Sequence, residues 1–391
     1  MSDATLQRVL ETDPRGPEAF TLVIDNKIFQ HWTEVELEQS LDGFASVGFK
    51  APFHPERREL RDAFRPFSFA PVKLYLGSEL QFTGTLLNVE PDFDAESYSV
   101  TVQCVSLPSV LADCCVPANL TGKQFGGYDL LAISRDLCEP FGFTSRYADL
   151  RSQVAAASEF AFLQTANRPD LVRKAKAALA AKFKRVKVER DAKIHDFLCT
   201  LTKQRGVVMT DDADGNLVFT ISTPTGNPVV QLEQGQAPLL SVKPVFSPQE
   251  YFSEVTAVVP AKRGKKGARH TLKNPFLKKV LRPTSITCAD IDPGGEPGAA
   301  QAYLGRMFGN LVSYDVELPT FFDPSRRLFR PNTTLTLRAP GAMVYGVHEL
   351  LIRSVTKKQS AEATSCTLKV VLPGAFSGDA PTALPWNEPL E

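Results

Sequence analysis

Apolar and polar residues alternate at both ends of this chain, and the alternation constrains its fold more than any other feature. In the stretch "TEVELEQS", Val35 and Leu37 point one way while the glutamates around them point the other. A period of two puts successive side chains on opposite faces of a strand, so one face is buried and the other solvated. From about residue 18 to 112, this pattern and its turn signals predict a small antiparallel barrel or sandwich.

The same alternation returns after residue 236. Residues 312–318 alternate strictly, and residues 366–372 do so again. The stretches 72–108 and 334–373 share one layout: strand, turn, strand, a polar connection, and a last strand that ends in Leu-Pro. Two interpretations stay open, a chance likeness between two β-meanders or a duplicated barrel.

Between these sections the period changes to that of a helix. Leu130, Ile133 and Leu137 share one helical face that ends at Pro140 and Gly142. A further helix, in 298–310, interrupts the second β section.

A helix-hairpin unit follows in "RDAKIHDFLCTLTKQRG" and the residues after it. Asp191 is the expected N-cap and Gly206 the expected C-cap residue. Apolar residues fall between them at i, i+3, i+4 and i+7, namely Ile194, Phe197, Leu198 and Leu201. The Ala-rich basic stretch 169–190 is also expected to be helical, as a solvated surface helix or as a functional basic patch.

Together these patterns predict an α+β, mainly β chain; in the duplicated-barrel interpretation, two similar antiparallel β-barrel domains flank a central α/β region. The expected boundaries are an N-terminal arm (1–17), a first β-barrel domain (18–115), a central α+β region with the helix-hairpin unit (116–236), a second β-barrel domain (237–375) and a C-terminal tail (376–391).

The composition argues against several classes of function. The 44 basic residues balance 44 acidic ones, so no global field steers the chain toward nucleic acid or membrane. No secretory signal and no apolar run of membrane-spanning length is expected. The seven cysteines lack C-x-x-C spacing, which predicts reduced, mostly buried thiols. A metal or redox role for Cys114 and Cys115 is the alternative.

The acidic stretch "MTDDADGNLVFT" could be a calcium loop or a tight turn. With Gly215 as the loop glycine, Asp212 and Asp214 fit a calcium loop, but Thr210 and Ile221 occupy its first and last ligand positions. The flanking residues are rich in β-formers, which favours a hairpin.

Catalytic templates fail in the same way. "HELLI" begins at His348 like a zincin helix but has Ile352 where the second histidine belongs. "LTGKQFGG" lacks the upstream glycine and the Ser or Thr of a phosphate loop, and G-x-S-x-G does not occur. The sequence predicts no catalytic site, no cofactor and no metal.

One stretch stands out by its charge. Residues 261–289 contain nine Lys and Arg and no acid. A solvated hairpin loop is one interpretation, and a surface that binds phosphate or an acidic partner is the other. The candidate residues of this channel or partner-binding loop are Lys262, Arg263, Lys265, Lys266, Arg269 and Lys273.

The order of motifs resembles one family: the hub proteins of contractile phage-tail baseplates, in particular those of Mu-like phages, which are related in architecture to the bacteriophage T4 hub. The opening "IFQHWTEVELEQSLDGFASVGF" is similar to the family's start. "FTGTLLNVEPDFDAESYSVTVQC", "VLADCCV", "ISRDLCEPFGF", "LTKQRGVVMTDDADGNLVFT", "RLFRPNTTLTLRAP" and "HELLIRSV" follow in its order, and "LPWNEP" closes the chain. The resemblance spans about 18–388. The basic stretches near 165–190 and 260–280 depart from the family pattern and inherit no role from it.

The resemblance implies a homotrimer with two barrels per subunit, which joins the six-fold tail tube to the three-fold spike around a channel for DNA passage. It also implies contacts with tape measure and baseplate wedge proteins, and a place in the virion baseplate after assembly in the host bacterial cytoplasm. The C-terminal tail could dock on a neighbour through Trp386, or could be a frayed terminus.

Three rival functions stay open. The chain could be the hub of a related injection particle, pyocin-like or part of a secretion system. It could be a cell-wall hydrolase carried by the tail. It could also bind nucleic acid through the basic loop.

Overall fold

A computed structural model of the chain describes residues 18–94, 98–148, 180–184, 186–189, 191–222, 226–260, 267–288, 295–376, 381 and 383–387. Strands dominate it. Those of the first section are β1 (Phe20–Ile24), β2 (Lys27–Phe29), β3 (Glu34–Ser40), β4 (Ser46–Pro52), β5 (Pro71–Leu76), β6 (Glu79–Phe93) and β7 (Tyr98–Ser106). The middle contributes β8 (Ser145–Tyr147), β9 (Val208–Asp211), β10 (Leu217–Thr220) and β11 (Pro228–Glu233).

The last section adds β12 (Ser241–Phe246), β13 (Glu254–Val258), β14 (Arg269–Lys273), β15 (Pro283–Thr287), β16 (Val312–Leu318), β17 (Thr334–Ala339), β18 (Val344–Ser360) and β19 (Thr364–Val371). The α-helices are α1 (Arg58–Ala63), α2 (Val110–Asp113), α3 (Leu130–Cys138), α4 (Ile194–Arg205) and α5 (Glu296–Leu311). Among the helices of the described ranges, none has the length and apolar character needed to cross a membrane.

Most strands belong to one 13-stranded sheet. Its order is β12-β16-β19-β18-β3-β4-β7-β6-β5-β1-β2, with β17 and then β11 branching from β18. The branch arises because β18 is long: its first half pairs with β17 and its second half pairs with β3. The sequence predicts two separate antiparallel barrels, whereas the described strands follow one open path through both β sections. Parallel pairs also occur, between β11 and β17 and between β8 and β10.

The two β sections share a single core as well as a sheet. Buried residues of the first section, such as Phe49 and Val102, form one apolar cluster with Val316 and Leu368 of the second. The alternation read from the sequence is confirmed, because β16 buries every second side chain, β7 does so from Val100 onward, and β3 buries Val35 and Leu37.

Two blocks of this sheet repeat the same strand order. We call β3-β4-β7-β6-β5 the first block and β12-β16-β19-β18-β17 the second block. Within each block the strands occur in the same chain order, and all neighbours are antiparallel. Each block also has a bulge at the same register, one at Leu87 between β6 and β7 and one at Arg353 between β18 and β19. A shared order with a shared bulge favours duplication over chance likeness.

The central region packs α3 and α4 with the small sheet β8-β10-β9 around a second apolar cluster. The helical periods there are confirmed, and Gly206 ends α4 in the left-handed conformation at φ 63°. The predicted N-cap is wrong, because Lys193 occupies that position and makes no side-chain cap. Asp191 instead adopts a left-handed backbone at φ 63°, which an aspartate tolerates in a turn.

The helix expected across 169–190 is wrong at its end. Residues 183, 184 and 186–188 lie along 122–128, where the amide of Phe125 donates to the carbonyl of Val186 over 2.8 Å and Gln124 forms a β-bridge with Lys187. Phe183, Val186 and Val188 are buried there. Tertiary packing of these side chains overrides the helix propensity of the preceding alanines. Most of the remaining stretch lies outside the described residues.

The helix predicted at 298–310 is confirmed as α5. It carries a separate small sheet with the order β14-β13-β15. Ala299 and Ala300 of α5 pack against Ala257 of β13 and Cys288, which follows β15. Small side chains on both sides allow the helix and the sheet to approach closely.

Candidate assembly surfaces

The acidic stretch forms a hairpin turn between β9 and β10. One carboxylate oxygen of Asp212 accepts from the amide of Asn216 at 2.8 Å, and the other accepts from Arg146 at 2.8 Å. Gly215 has φ 81°, a conformation that glycine adopts without strain. The hairpin interpretation is confirmed, and Asp212 is engaged as the residue that closes the turn.

The preceding residue, Asp211, fastens this hairpin to the first β section. Its carboxylate accepts from the backbone amide of Ala45 at 3.0 Å, and the neighbouring Thr210 hydroxyl donates to the carbonyl of Ser40 at 2.8 Å. Desolvation at this contact raises the pKa of Asp211 to about 6. The three aspartates of the motif are therefore not equivalent, since Asp211 contacts the first β section.

The cationic stretch is only partly described. Lys262, Arg263, Lys265 and Lys266 lie outside the described residues. Arg269 and Lys273 stand at the two ends of β14, both exposed and on the sheet face that points away from α5.

Further cations follow on the loop between β14 and β15. Lys278, Lys279 and Arg282 are exposed there, and Arg282 donates to the carbonyl of Gln249 at 2.9 Å. Val280 and Leu281 lie between these cations with 52% and 79% of their surface exposed. This loop therefore offers apolar contact area as well as positive charge, a combination suited to a protein partner.

Trp386 contacts its own chain. Its ring lies 5.5 Å from the ring of Phe246, nearly perpendicular to it. The carbonyl of Pro385 accepts from the amide of Tyr345 at 3.1 Å, which holds this part of the tail beside the start of β18. Trp386 thus covers β12, the outermost strand of the large sheet, and its docking on a neighbour stays a prediction.

A cavity of about 660 Å³ lies where the first β section, the acidic turn and the 321–333 loop meet. Its arginines are matched with carboxylates: Arg146 with Asp212, Arg326 with Glu18, Arg327 with Asp323, and Arg330 with Glu79. Except for Arg327 and Asp323, which are four residues apart, these partners are far apart in sequence, so local motifs could not have identified the whole cavity. Because these arginines and carboxylates are paired, the lining of the cavity is close to neutral. Such pairs can join the three chain segments that meet there.

The described residues contain no cluster of three or more His, Cys, Asp or Glu able to hold a metal ion. All seven cysteines are free, and Cys104, Cys138, Cys288 and Cys366 are buried, as the sequence predicts. Cys115 is exposed and Cys114 is half-buried.

The sequence did not single out the exposed apolar side chains at the strand ends. Phe93 and Tyr98 stack at 6.3 Å near the tip of the β6–β7 hairpin, with 76% and 52% of their surface exposed. They continue the row of Val100 and Val102, which is buried farther along β7. The sequence signal for them was that apolar alternation continues beyond the buried residues of each strand. Such a strand has an apolar face longer than the core of its own subunit can cover.

Comparisons with known proteins agree with this architecture. No family model matches the chain. The baseplate hub protein gp44 of Escherichia phage Mu is 24% identical over 353 residues, which cover 86% of this chain and 83% of that protein. The 43 kDa tail protein of prophage MuSo2 from Shewanella oneidensis aligns with a TM-score of 0.72 at 20% identity, over 91% of this chain and 98% of that one.

A more distant structure has a related fold. The c3393 protein of E. coli, a type VI secretion component with structural similarity to the T4 tail proteins gp27 and gp5, aligns with a TM-score of 0.51 at 10% identity. The alignment covers 92% of this chain and 79% of that protein. The chain therefore has the fold of Mu-like prophage tail proteins, and the resemblance to the baseplate hub proteins of contractile phage tails that the sequence predicts is confirmed.

Proposed function

We propose that this chain is the structural baseplate hub of a contractile phage tail, a homotrimeric adaptor between the tail tube and the spike. The observation that carries the proposal is the repeat of one strand order in the first and second blocks. A three-fold object meets a six-fold ring with matching contacts only if each subunit offers two quasi-equivalent surfaces. The likeness to the Mu baseplate hub protein supports the same role.

In this proposal the two blocks act as the two barrel-like units of each subunit, and three subunits surround a channel for DNA. The predicted boundaries at 18–115, 116–236 and 237–375 then separate the two units from the connecting region. The role is one of assembly without catalysis, in the virion baseplate after synthesis in the host cytoplasm. Tape measure and wedge proteins are further partners of such a hub.

The cationic stretch serves as a contact surface in the same scheme. Arg269 and Lys273 would line the channel or hold an acidic partner. The exposed Val280 and Leu281 favour the protein partner, because apolar side chains add nothing to the attraction of a passing phosphate backbone.

A second candidate function is the hub of a related injection particle, such as a pyocin-like particle or a secretion system. The fold similarity to the type VI secretion component favours it as an alternative. Both candidates require the same trimeric adaptor and differ only in the machine around it.

Mass measurement of the purified chain, combined with class averages of its particles, tests the proposal. We expect a ring-like trimer with six peripheral lobes. A monomer at every concentration would contradict the hub role. Release of peptidoglycan fragments by the purified protein would instead support the tail-associated hydrolase.

A further inference from the structure

We infer that the second half of β6, through the edge that faces away from β7, pairs with β12 of a second copy, and that this pairing is the contact between subunits. The inference rests on the proposed trimer and specifies its interface. It is drawn from one strand junction inside the chain, between β18 and β3, and from the open edges of β6 and β12.

The junction inside the chain joins the second block to the first. The second half of β18, residues 354–360, pairs antiparallel with β3. The strands equivalent to β18 and β3 in the other block are β6 and β12, respectively. Each block thus has two strands that can form such a junction, and the junction inside the chain uses β18 of the second block and β3 of the first.

The other two strands, β6 and β12, each keep one open edge. Beyond Thr85, β6 pairs only with β7, and β12 pairs only with β16 among the described strands. If the intrachain junction is repeated between copies, β6 of one subunit adds to β12 of the next. Three copies then make six junctions of one kind, and a ring of three leaves neither the β6 edge nor the β12 edge open.

The register of the intrachain junction fixes the partners. Lys358 lies opposite Glu36 there, and its ammonium group contacts Glu34 and Glu36 at 2.5 and 3.7 Å. The shared bulge and the strand pairings make Asp92 equivalent to Lys358, and Lys243 equivalent to Glu36. The open edges therefore place Asp92 opposite Lys243 of the second copy. The charges are complementary again, with their signs exchanged.

Apolar side chains match in the same register. Phe93 falls opposite Val242 of the second copy, and Val89 falls opposite Phe246. Phe93 and Phe246 are now 76% and 41% exposed, although they lie on the faces that are buried in the core of each block. Phe246 also carries the ring of Trp386. Pairing would continue the buried face from one subunit into the next and so cover these aromatic residues.

Both open edges contain a proline, Pro91 in β6 and Pro244 in β12. Proline has no N–H to donate, so it weakens indiscriminate pairing at a sheet edge. In the inferred register the two prolines lie opposite each other. The missing donors then fall in a single pair, and the next hydrogen-bonded pairs, Val89 with Phe246 and Phe93 with Val242, keep theirs.

Disulfide formation tests the inferred register. The amide of Leu41 donates to the carbonyl of Arg353 at 2.7 Å, so Leu41 and Arg353 are a hydrogen-bonded pair of the β3–β18 junction. Hydrogen-bonded and non-hydrogen-bonded pairs alternate along antiparallel strands, so Glu38 and Thr356, three positions farther along, form a non-hydrogen-bonded pair. Glu90 and Val245 are their equivalents. Opposed residues of this kind have Cα atoms about 4.5 Å apart, within the range of a disulfide.

The experiment uses Glu90→Cys/Val245→Cys in a chain with Cys115→Ser. We expect covalent dimers and trimers, and no larger species, on non-reducing gels after mild oxidation. Glu38→Cys/Thr356→Cys is the matched positive control and should close within one chain. Thr101→Cys/Val245→Cys moves one thiol to β7, one strand farther away and roughly 5 Å more distant, so it should not cross-link.

A charge exchange gives an independent readout. Asp92→Lys or Lys243→Asp should each raise the trimer dissociation constant about two- to fivefold, the usual range for an exposed ion pair, and the double exchange should restore it. A solution trimer in which Glu90→Cys/Val245→Cys cross-links no faster than the Thr101 control would overturn the inference and leave the proposed hub intact. A chain that is monomeric at all concentrations would instead contradict the hub proposal itself.

Discussion

Asp211 differs from its neighbours Asp212 and Asp214 because tertiary contacts remove its carboxyl from water. Asp212 closes the turn and stays paired with Arg146, while Asp211 accepts from the amide of Ala45. The three side chains are chemically identical in the sequence, and only their surroundings separate their roles.

The pKa of Asp211 leads to a prediction on stability. It is raised from 3.8 to about 6, so protonation favours the folded state. This stabilisation is complete below pH 3.8 and is lost as the pH rises through about 6. From pH 7 to pH 5 we expect the native chain to gain about 1 kcal/mol of unfolding free energy relative to Asp211→Asn.

Urea unfolding of both proteins at the two pH values measures this difference. The Asn variant keeps an acceptor for Ala45 but cannot titrate, so other carboxyls cancel in the comparison. Parallel pH profiles of the two proteins would contradict the assigned pKa.

Elements differ in how far local sequence determines them. The helices α3, α4 and α5 follow the apolar periods read from the sequence, because their buried faces repeat every three or four residues. Residues 183, 184 and 186–188 do not, because strand-like contacts with 122–128 decide their conformation.

Strand packing in the first block gives a prediction at this scale. A side chain at Gly84 of β6 would overlap the carbonyl oxygen of Val105 and the ring of Phe82. At Gly48 of β4, an added methyl group would meet no atom within 4 Å. We expect Gly84→Ala to cost about 2 kcal/mol of unfolding free energy, since the backbone of β7 would have to move. Gly48→Ala should change it by less than about 0.5 kcal/mol.

Chemical denaturation of the two variants checks this expectation. Both substitutions remove a glycine from a strand, so their difference isolates the steric overlap from the change in chain entropy. Equal stabilities would mean that β6 and β7 can separate at little cost.

Across the whole molecule, the two β sections are bound together more closely than two domains linked by a flexible connection. β18 pairs with β3, and the guanidinium of Arg353 contacts both carboxylate oxygens of Asp42 at 3.0 and 2.8 Å. The single apolar cluster crosses the same boundary. The predicted domain boundaries at 115 and 237 stay a prediction.

This coupling predicts that the two sections unfold together. The chain has two tryptophans: Trp32 borders the core of the first section, and Trp386 packs on β12 of the second. Trp32→Phe and Trp386→Phe therefore each leave one fluorescent reporter. We expect the two variants to show the same denaturant midpoint, coincident with the loss of strand circular dichroism. Two separated midpoints would indicate independent domains.

The sequence by itself determined the strand and helix periods, the hairpin at the acidic turn, the mainly β class and the resemblance to baseplate hub proteins. These features depend on residues that lie close together in the chain. Tertiary structure alone decided that the two β sections share one sheet, that Asp211 is desolvated, and that β6 and β12 keep open edges. The shared sheet depends on the pairing of β18 with β3, and Asp211 accepts from an amide 166 positions away. Local alternation specifies which face of a strand is buried without specifying which strand lies alongside.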